Sequence, residues 1–218
     1  MSAADRTSHA IDVDLHEVSE RFEAMSRRCR TQLTRALHAF WARSKEEAAS
    51  VAAFDDRIDD DERSLDALIL RVLALRQPVA SDLRVLTACL KLVTDLERIG
   101  DGAVNIADAA VRGEDGYDSE SLHRLGAATE AIVAAATSSF LQRDENAARE
   151  VARAQAAIVA MHRAATEEMV AFASTHPDAA RSVVAALSVA RALERIADHA
   201  ANIAEGTRFA LRDAQMPR

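Results

Sequence analysis

LERIGDGAVNIA, residues 96–107, and LERIADHAANIA, residues 193–204, agree at nine of twelve positions. Ordinary residue frequencies would give roughly one match by chance. The two stretches lie 97 positions apart, and Arg84 and Arg181 extend the match backwards at the same offset. Pro78 and Pro177 each stand ahead of the same stretch, and Ala48, Val51 and Ile58 are echoed by Ala148, Val151 and Ile158 at an offset of 100. Repetition of this length marks a duplicated structural unit of about 105 residues. The two copies are read as residues 1–112 and 113–218.

Within each copy the apolar residues recur with the period of a helix. The first copy predicts helices over about 15–41, 46–75 and 79–111. The second predicts them over about 122–141, 145–174 and 178–211. Ser44 and Asp144 are placed to cap the second helix of each copy, because a short oxygen side chain can accept from the free N–H groups of the first turn. RQPVASD, residues 76–82, and Thr175-His176-Pro177 interrupt the chain ahead of each third helix, since proline lacks the N–H that a helix interior needs. GEDGYDSES, residues 113–121, reads as the linker. The resulting fold class is all-α, two tandem, pseudo-symmetric three-helix bundles, because single amphipathic helices must cover one another's apolar faces.

Composition agrees. Of 218 residues, 49% are apolar and 28% charged, with six Gly, three Pro and 4% aromatics, which is too few turn formers for a β-rich chain. The formal net charge of −8 disfavours a nucleic-acid partner, whose binding rests on clustered Lys and Arg. No apolar run reaches the ~18–20 residues of a membrane span. The first residues, with Asp5, His9 and Asp12, lack the layout of a signal peptide. Cys29 and Cys89 stand in no ligand motif and suit reduced thiols, so the expected location is cytoplasmic.

Chemistry is sought on the repeated helices. On a wheel of 100° per residue, Leu83, Leu86, Leu90, Val93 and Val104 fall within about 40° of Glu97, and Asp101 shares the stripe, with Asn105 and Asp108 continuing it. Arg84, Lys91 and Arg98 occupy the expected solvent side. The second helix carries a matching set, Asp55, Asp59, Glu62 and Asp66, beside Ile58, Leu65 and Ile69. Like charges at i,i+4 repel, and more strongly when desolvated, so a positive partner is expected. The acids are either solvated and paired with Arg57, Arg63 or Arg98, or they gather around a metal. Carboxylates at this density suit Mg²⁺, Mn²⁺, Fe or Ca²⁺. The second copy keeps Glu194 and Asp198, with Asn202 and Glu205. Gln155, Val159 and His162 replace Asp55, Asp59 and Glu62, leaving His162 or His199 as the remaining candidate ligands.

No phosphate-binding loop, dinucleotide fingerprint or nucleophile elbow occurs. A di-iron oxidase would need two Glu-x-x-His helices, and the only such spacing, Glu120 with His123, lies beside the linker. Trp41 and Tyr117 read as packing or surface residues. A catalytic site is not expected. The competing classes are a metal-dependent or redox helical-bundle enzyme, a structural bundle without ligand, and a phosphotransfer module.

The stretch of residues 76–107, RQPVASDLRVLTACLKLVTDLERIGDGAVNIA, resembles the most characteristic segment of PhoU proteins. ALERIADHAANIAEG, residues 192–206, resembles its counterpart in the family's second half. FDDRIDDDE, residues 54–62, is similar to the family's acidic second-helix motif. The resemblance covers essentially the whole chain. It implies a six-helix fold and a non-enzymatic, cytoplasmic regulator of phosphate uptake that restrains the phosphate-starvation response. The implied partners are the ATPase subunit of the phosphate ABC transporter and a sensor histidine kinase. Peripheral membrane association would come only through those partners, and a homodimer is expected. Some members bind multinuclear metal clusters, iron among them, on acidic helix motifs. Asp55, Asp59, Glu97 and Asp101 match the first set, with Glu62 beside them, and Glu194 and Asp198 match half of the second. The metal would be Fe, Mn, Mg or Zn. Some similar domains serve other transporters.

Overall fold

The computed structural model describes residues 3–78, 80–112 and 117–211, with side chains from residue 10 onward and excluding that of residue 80. Val79, expected to open the third helix, and residues 113–116 of the expected linker lie outside the described residues. The described elements are α1 (Ala3–Ala42), α2 (Lys45–Arg76), α3 (Ala80–Arg112), α4 (Glu120–Leu141), α5 (Glu145–Thr175), a 3₁₀ turn (Pro177–Ala179) and α6 (Ala180–Leu211), with no strand among them. The helix order repeats as the sequence implied. The first helix begins earlier than its apolar periodicity suggested.

The turns repeat in backbone detail. Ser44 N–H donates to the Ala39 carbonyl at 2.9 Å, and Asp144 N–H donates to the Ser139 carbonyl at 2.9 Å. Arg43 (φ 56°) and Arg143 (φ 53°) occupy the same left-handed position one residue earlier. Both caps form: Ser44 Oγ accepts from Glu47 N–H at 3.2 Å, and Asp144 Oδ1 accepts from the N–H groups of Asn146 and Ala147 at 2.9 and 3.0 Å. Ser44→Ala should therefore lower unfolding stability by about 1 kcal/mol, a fall of about 2–4 °C in Tm, read by thermal melting. An unchanged melt would mean that the cap is redundant.

The echoed residues Ala48, Val51 and Ile58 and their counterparts Ala148, Val151 and Ile158 are all buried. They hold the inward stripes of α2 and α5 against their own halves. α2 packs on α1 and α3, and α5 on α4 and α6. The halves then share a single core, because α1 also packs on α4 and α3 packs extensively on α6. The central helices form a closed ring in the order α1, α3, α6, α4, with α2 and α5 outside it.

Contacts fix the directions within the ring. Along α1 and α4, Phe22 meets Phe140 with ring centroids 4.7 Å apart, Leu37 faces Gly126, and Trp41 stacks on His123 at 3.9 Å, so the two helices run antiparallel. Along α3 and α6, Leu92 faces Gly206 and Ile196 faces Gly102, again antiparallel. A Cβ on Gly102 would lie 2.6 Å from Ile196 Cγ1, and one on Gly206 would lie 2.5 Å from Leu92 Cδ2. Each of these glycines is the hole that admits a buried branched side chain from the other half. Tyr117 secures the end of the linker, its ring against Phe172 and its hydroxyl donating to Glu168 Oε1 at 3.1 Å.

One core assignment is corrected. Leu86 and Val93 are buried and Leu90 and Val104 half-buried, but Leu83 is 43% exposed. Leu83 stands in the first turn of α3, at the end of the helix and not along its packed length.

Candidate functional site

The acidic stripe of α2 faces the groove between α2 and α3. Asp55, Asp59, Glu62 and Asp66 are half-buried, whereas Asp56, Arg57, Asp60 and Arg63 on the same helix are exposed. Ile58, Leu65 and Ile69 anchor the stripe by their burial. From α3, Glu97 turns inward, its side chain 17% exposed, and Asp101 follows one turn later. Gly100 lets α3 approach closely: a Cβ there would lie 3.4 Å from Asp55 Oδ1 and 3.2 Å from Gln32 Oε1.

Positive partners are few. Gln32, buried on α1, donates Nε2 to Asp55 Oδ1 at 2.9 Å. Arg98 reaches Glu97 Oε2 at 3.3 Å and Asp101 Oδ2 at 3.0 Å. Arg28 pairs with Asp61. Arg63 pairs with exposed Asp60 and acts on Asp59 only through its charge, and Arg57 lies over the Phe54 ring. The expected continuation of the third-helix stripe does not hold, because Asn105 and Asp108 are exposed and turned to α3's own Asp101 carbonyl and Arg112.

Burial first, and then the remaining repulsion, raises several of these acids. Burial, then the Asp101 charge, with smaller contributions from Glu62 and Asp59, pushes Glu97 up to about 7 against the pull of Arg98. Burial likewise raises Asp55, offset in part by Gln32 and reinforced by Asp101 and Asp59. Glu62 is raised by burial and by Asp66 and Asp59, against a hydrogen bond from Thr94. Burial alone raises Asp66. Thus Asp55, Asp59, Glu62, Glu97 and Asp101 form one electrostatic group across two helices, as their spacing implied.

Three oxygens in and around this groove, Glu97 Oε2, Asp66 Oδ1 and Gln32 Oε1, are buried and accept no hydrogen bond, Glu97 Oε2 having only the ion pair with Arg98 at 3.3 Å beside it. Such atoms lose hydration without recovering it from the protein. Among the described residues, no three Asp, Glu, His or Cys side chains converge closely enough to form a ready metal-ligand group. The donor chemistry nevertheless fits a hard, oxygen-preferring cation: anionic oxygens in excess, desolvated, with Arg98 alone bridging Glu97 and Asp101.

The groove between α5 and α6 differs. Gln155 Nε2 donates to Asp198 Oδ1 at 2.8 Å, and His162 Nδ1 lies 3.3 Å from Glu194 Oε1. Val159, in the place of Asp59, is 41% exposed. His199, weighed as a ligand for this half, points elsewhere, to the seam, where Asp95 Oδ1 meets its Nδ1 at 2.9 Å and accepts from Asn202 Nδ2 at 3.1 Å. Sequence reasoning passed over Asp95 because its counterpart at the repeat offset is Ala192.

A family model described as the PhoU domain matches the chain twice, over residues 22–110 and 122–207. The chain belongs to the PhoU family. Each matched segment contains one of the two grooves. A phosphate-specific transport system accessory protein PhoU homolog of Pseudomonas aeruginosa is 33% identical over 208 residues, covering 94% of this chain and 86% of that protein. The homolog so named in Clostridium acetobutylicum is 27% identical over 96% of this chain and 98% of its own length. The PhoU fold is matched equally well by solved structures. The crystal structure of PhoU from P. aeruginosa gives a TM-score of 0.86 at 32% identity, covering 92% of this chain and 98% of that one. The crystal structure of the phosphate transport system regulatory protein PhoU from Streptococcus pneumoniae gives 0.87 at 26% identity, covering 95% and 99%. Among the described residues of this PhoU chain, no helix is long and apolar enough to cross a membrane.

Proposed function

We propose that this protein is a non-enzymatic, cytoplasmic regulator of phosphate uptake that acts by contact. Its partners on this reading are the ATPase subunit of a phosphate ABC transporter and the cytoplasmic part of a sensor histidine kinase, and it restrains the phosphate-starvation response when phosphate is plentiful. The observation that carries the reading is the similarity, over nearly the whole chain, to proteins named as accessories of phosphate-specific transport. The molecule assembles as a homodimer on the same reading. Asp55, Asp59, Glu62, Glu97 and Asp101 hold Mg²⁺, Mn²⁺, Fe or Zn²⁺ in the α2–α3 groove. A bound cation would neutralise the repelling carboxylates and could set the spacing of α2 against α3 on which a partner reads the surface.

A deletion strain carrying a phosphate-starvation reporter tests this. Reporter output should become constitutive in abundant phosphate and return to the repressed level with the wild-type gene, while Glu97→Ala with Asp101→Ala should restore it only in part. A phosphate-responsive reporter in the deletion strain would count against the reading and favour service to another transporter.

A further inference from the structure

We propose that the groove between α5 and α6 has exchanged cation binding for direct pairing within the protein, so that Gln155 and His162 stand where the first groove needs a cation. This rests on the reading of the first groove as a cation site. Both grooves retain the third-helix pair, Glu97 and Asp101 in one and Glu194 and Asp198 in the other. What changed is the facing helix: Asp55, Asp59, Glu62 and Asp66 of α2 correspond to Gln155, Val159, His162 and Thr166 of α5. At these matched positions the first groove therefore holds six carboxylates and the second two, with the exposed Glu167 at its margin.

The replacements are complementary in chemistry as well as in charge. An amide N–H₂ and an imidazole N–H donate, which a carboxylate cannot do, and each now meets one retained acid across the groove. Among the described residues, the carboxylate oxygens buried without a hydrogen bond, on Asp66 and on Glu97 (which has only the Arg98 ion pair), belong to the first groove, while neither Glu194 nor Asp198 has one. The unpartnered oxygen on the second side is the neutral hydroxyl of Thr166, a weak ligand for a hard cation. Val159 offers no donor at all. Two acids, each engaged by α5, do not supply the oxygen set that Mg²⁺ or Mn²⁺ takes.

The test uses the full-length protein, Mn²⁺ as probe, and two double variants. Glu194→Gln with Asp198→Asn should leave the Mn²⁺ bound per chain unchanged. Gln155→Asp with Val159→Asp restores two of the four acids of the facing helix. It should raise bound Mn²⁺ by at least one equivalent, lower Tm in EDTA by about 5 °C, and recover that loss when Mn²⁺ is added. A fall in bound Mn²⁺ in the first variant overturns the inference, as does unchanged melting of the second variant in EDTA. Wild-type protein that binds no Mn²⁺ would remove the cation reading of the first groove. It would overturn the inference with it, since there would be no cation binding to have been exchanged.

Discussion

Gly102→Val is expected to lower unfolding stability by about 3 kcal/mol, and Tm by about 6–12 °C, through a contact between halves that are almost a hundred residues apart in sequence. A single added Cβ would already lie 2.6 Å from Ile196 Cγ1 and 2.9 Å from its Cδ1. Ile196 is fully buried at the centre of the ring and cannot swing into solvent. Alanine adds the same clashing Cβ but not the two Cγ methyls, and as a better helix former than glycine it recovers up to about 1 kcal/mol, so it should cost less than valine. Ile196→Ala in the Gly102→Val background should restore part of the loss, because the second change removes the atoms that clash. Gly206→Leu against Leu92 is the matching experiment at the other end of the seam. A Gly102→Val protein that melts like the wild type would mean that α3 and α6 are not in the contact described.

Glu97 should make the cation-free protein less stable as pH rises. Its carboxyl is held at about 7, above the usual value of 4.5, so the folded state binds a proton that the unfolded state has lost. The stability this contributes is fully present below about pH 4.5 and is lost as pH rises through about 7. The full shift is not expected, since solvent at the groove mouth screens the repulsion, and about 1–2 kcal/mol is reasonable. In EDTA, the difference in stability between wild type and Glu97→Gln should therefore move in favour of the variant between pH 5 and 8. Mn²⁺ at pH 8 should restore the wild type much more than Asp59→Ala with Glu97→Ala, whose metal content should fall towards background by elemental analysis. If that double variant keeps its metal, the carboxylates named are not the ligands. If the wild type gains relative to Glu97→Gln as pH rises, the repulsion has the wrong sign.

Much of the fold was legible because it is written twice. Ser44 and Asp144, Pro78 and Pro177, and the buried alanine, valine and isoleucine positions of α2 and α5 are local signals that a single helix can carry. The acidic stripe of α2 was legible for the same reason: a helical wheel separates Asp55 and Asp59 from Asp56 and Asp60, and the structure buries them accordingly. What a wheel cannot supply is the neighbour. The α1–α4 contact, which fuses two bundles into one core, leaves no mark beyond apolar residues on α1 that the first bundle could have used itself. Gln32 on α1 completes the first groove, yet a lone glutamine among leucines has no motif. Asp95, His199 and Asn202 form their cluster only because two helices meet in one register, and the repeat that exposed the fold concealed them, since Asp95 has no acidic counterpart. Arg98 was assigned to the solvent side and is indeed half-exposed, but its length lets it reach back to Glu97 and Asp101.

The antiparallel seam also sets an order of events during synthesis. Asp95 meets His199, and Leu92 meets Gly206, across more than a hundred residues of chain. At about 5–20 residues per second, a ribosome that has finished α3 takes roughly 5–20 s to deliver the stretch that covers it. Through that interval Leu92, Asp95 and Gly102 of α3 lack the α6 neighbours that they meet in the finished fold. The first half is then a sticky intermediate, and the growing chain has a time window in which a chaperone, or the same half of another copy, competes with α6 for its place.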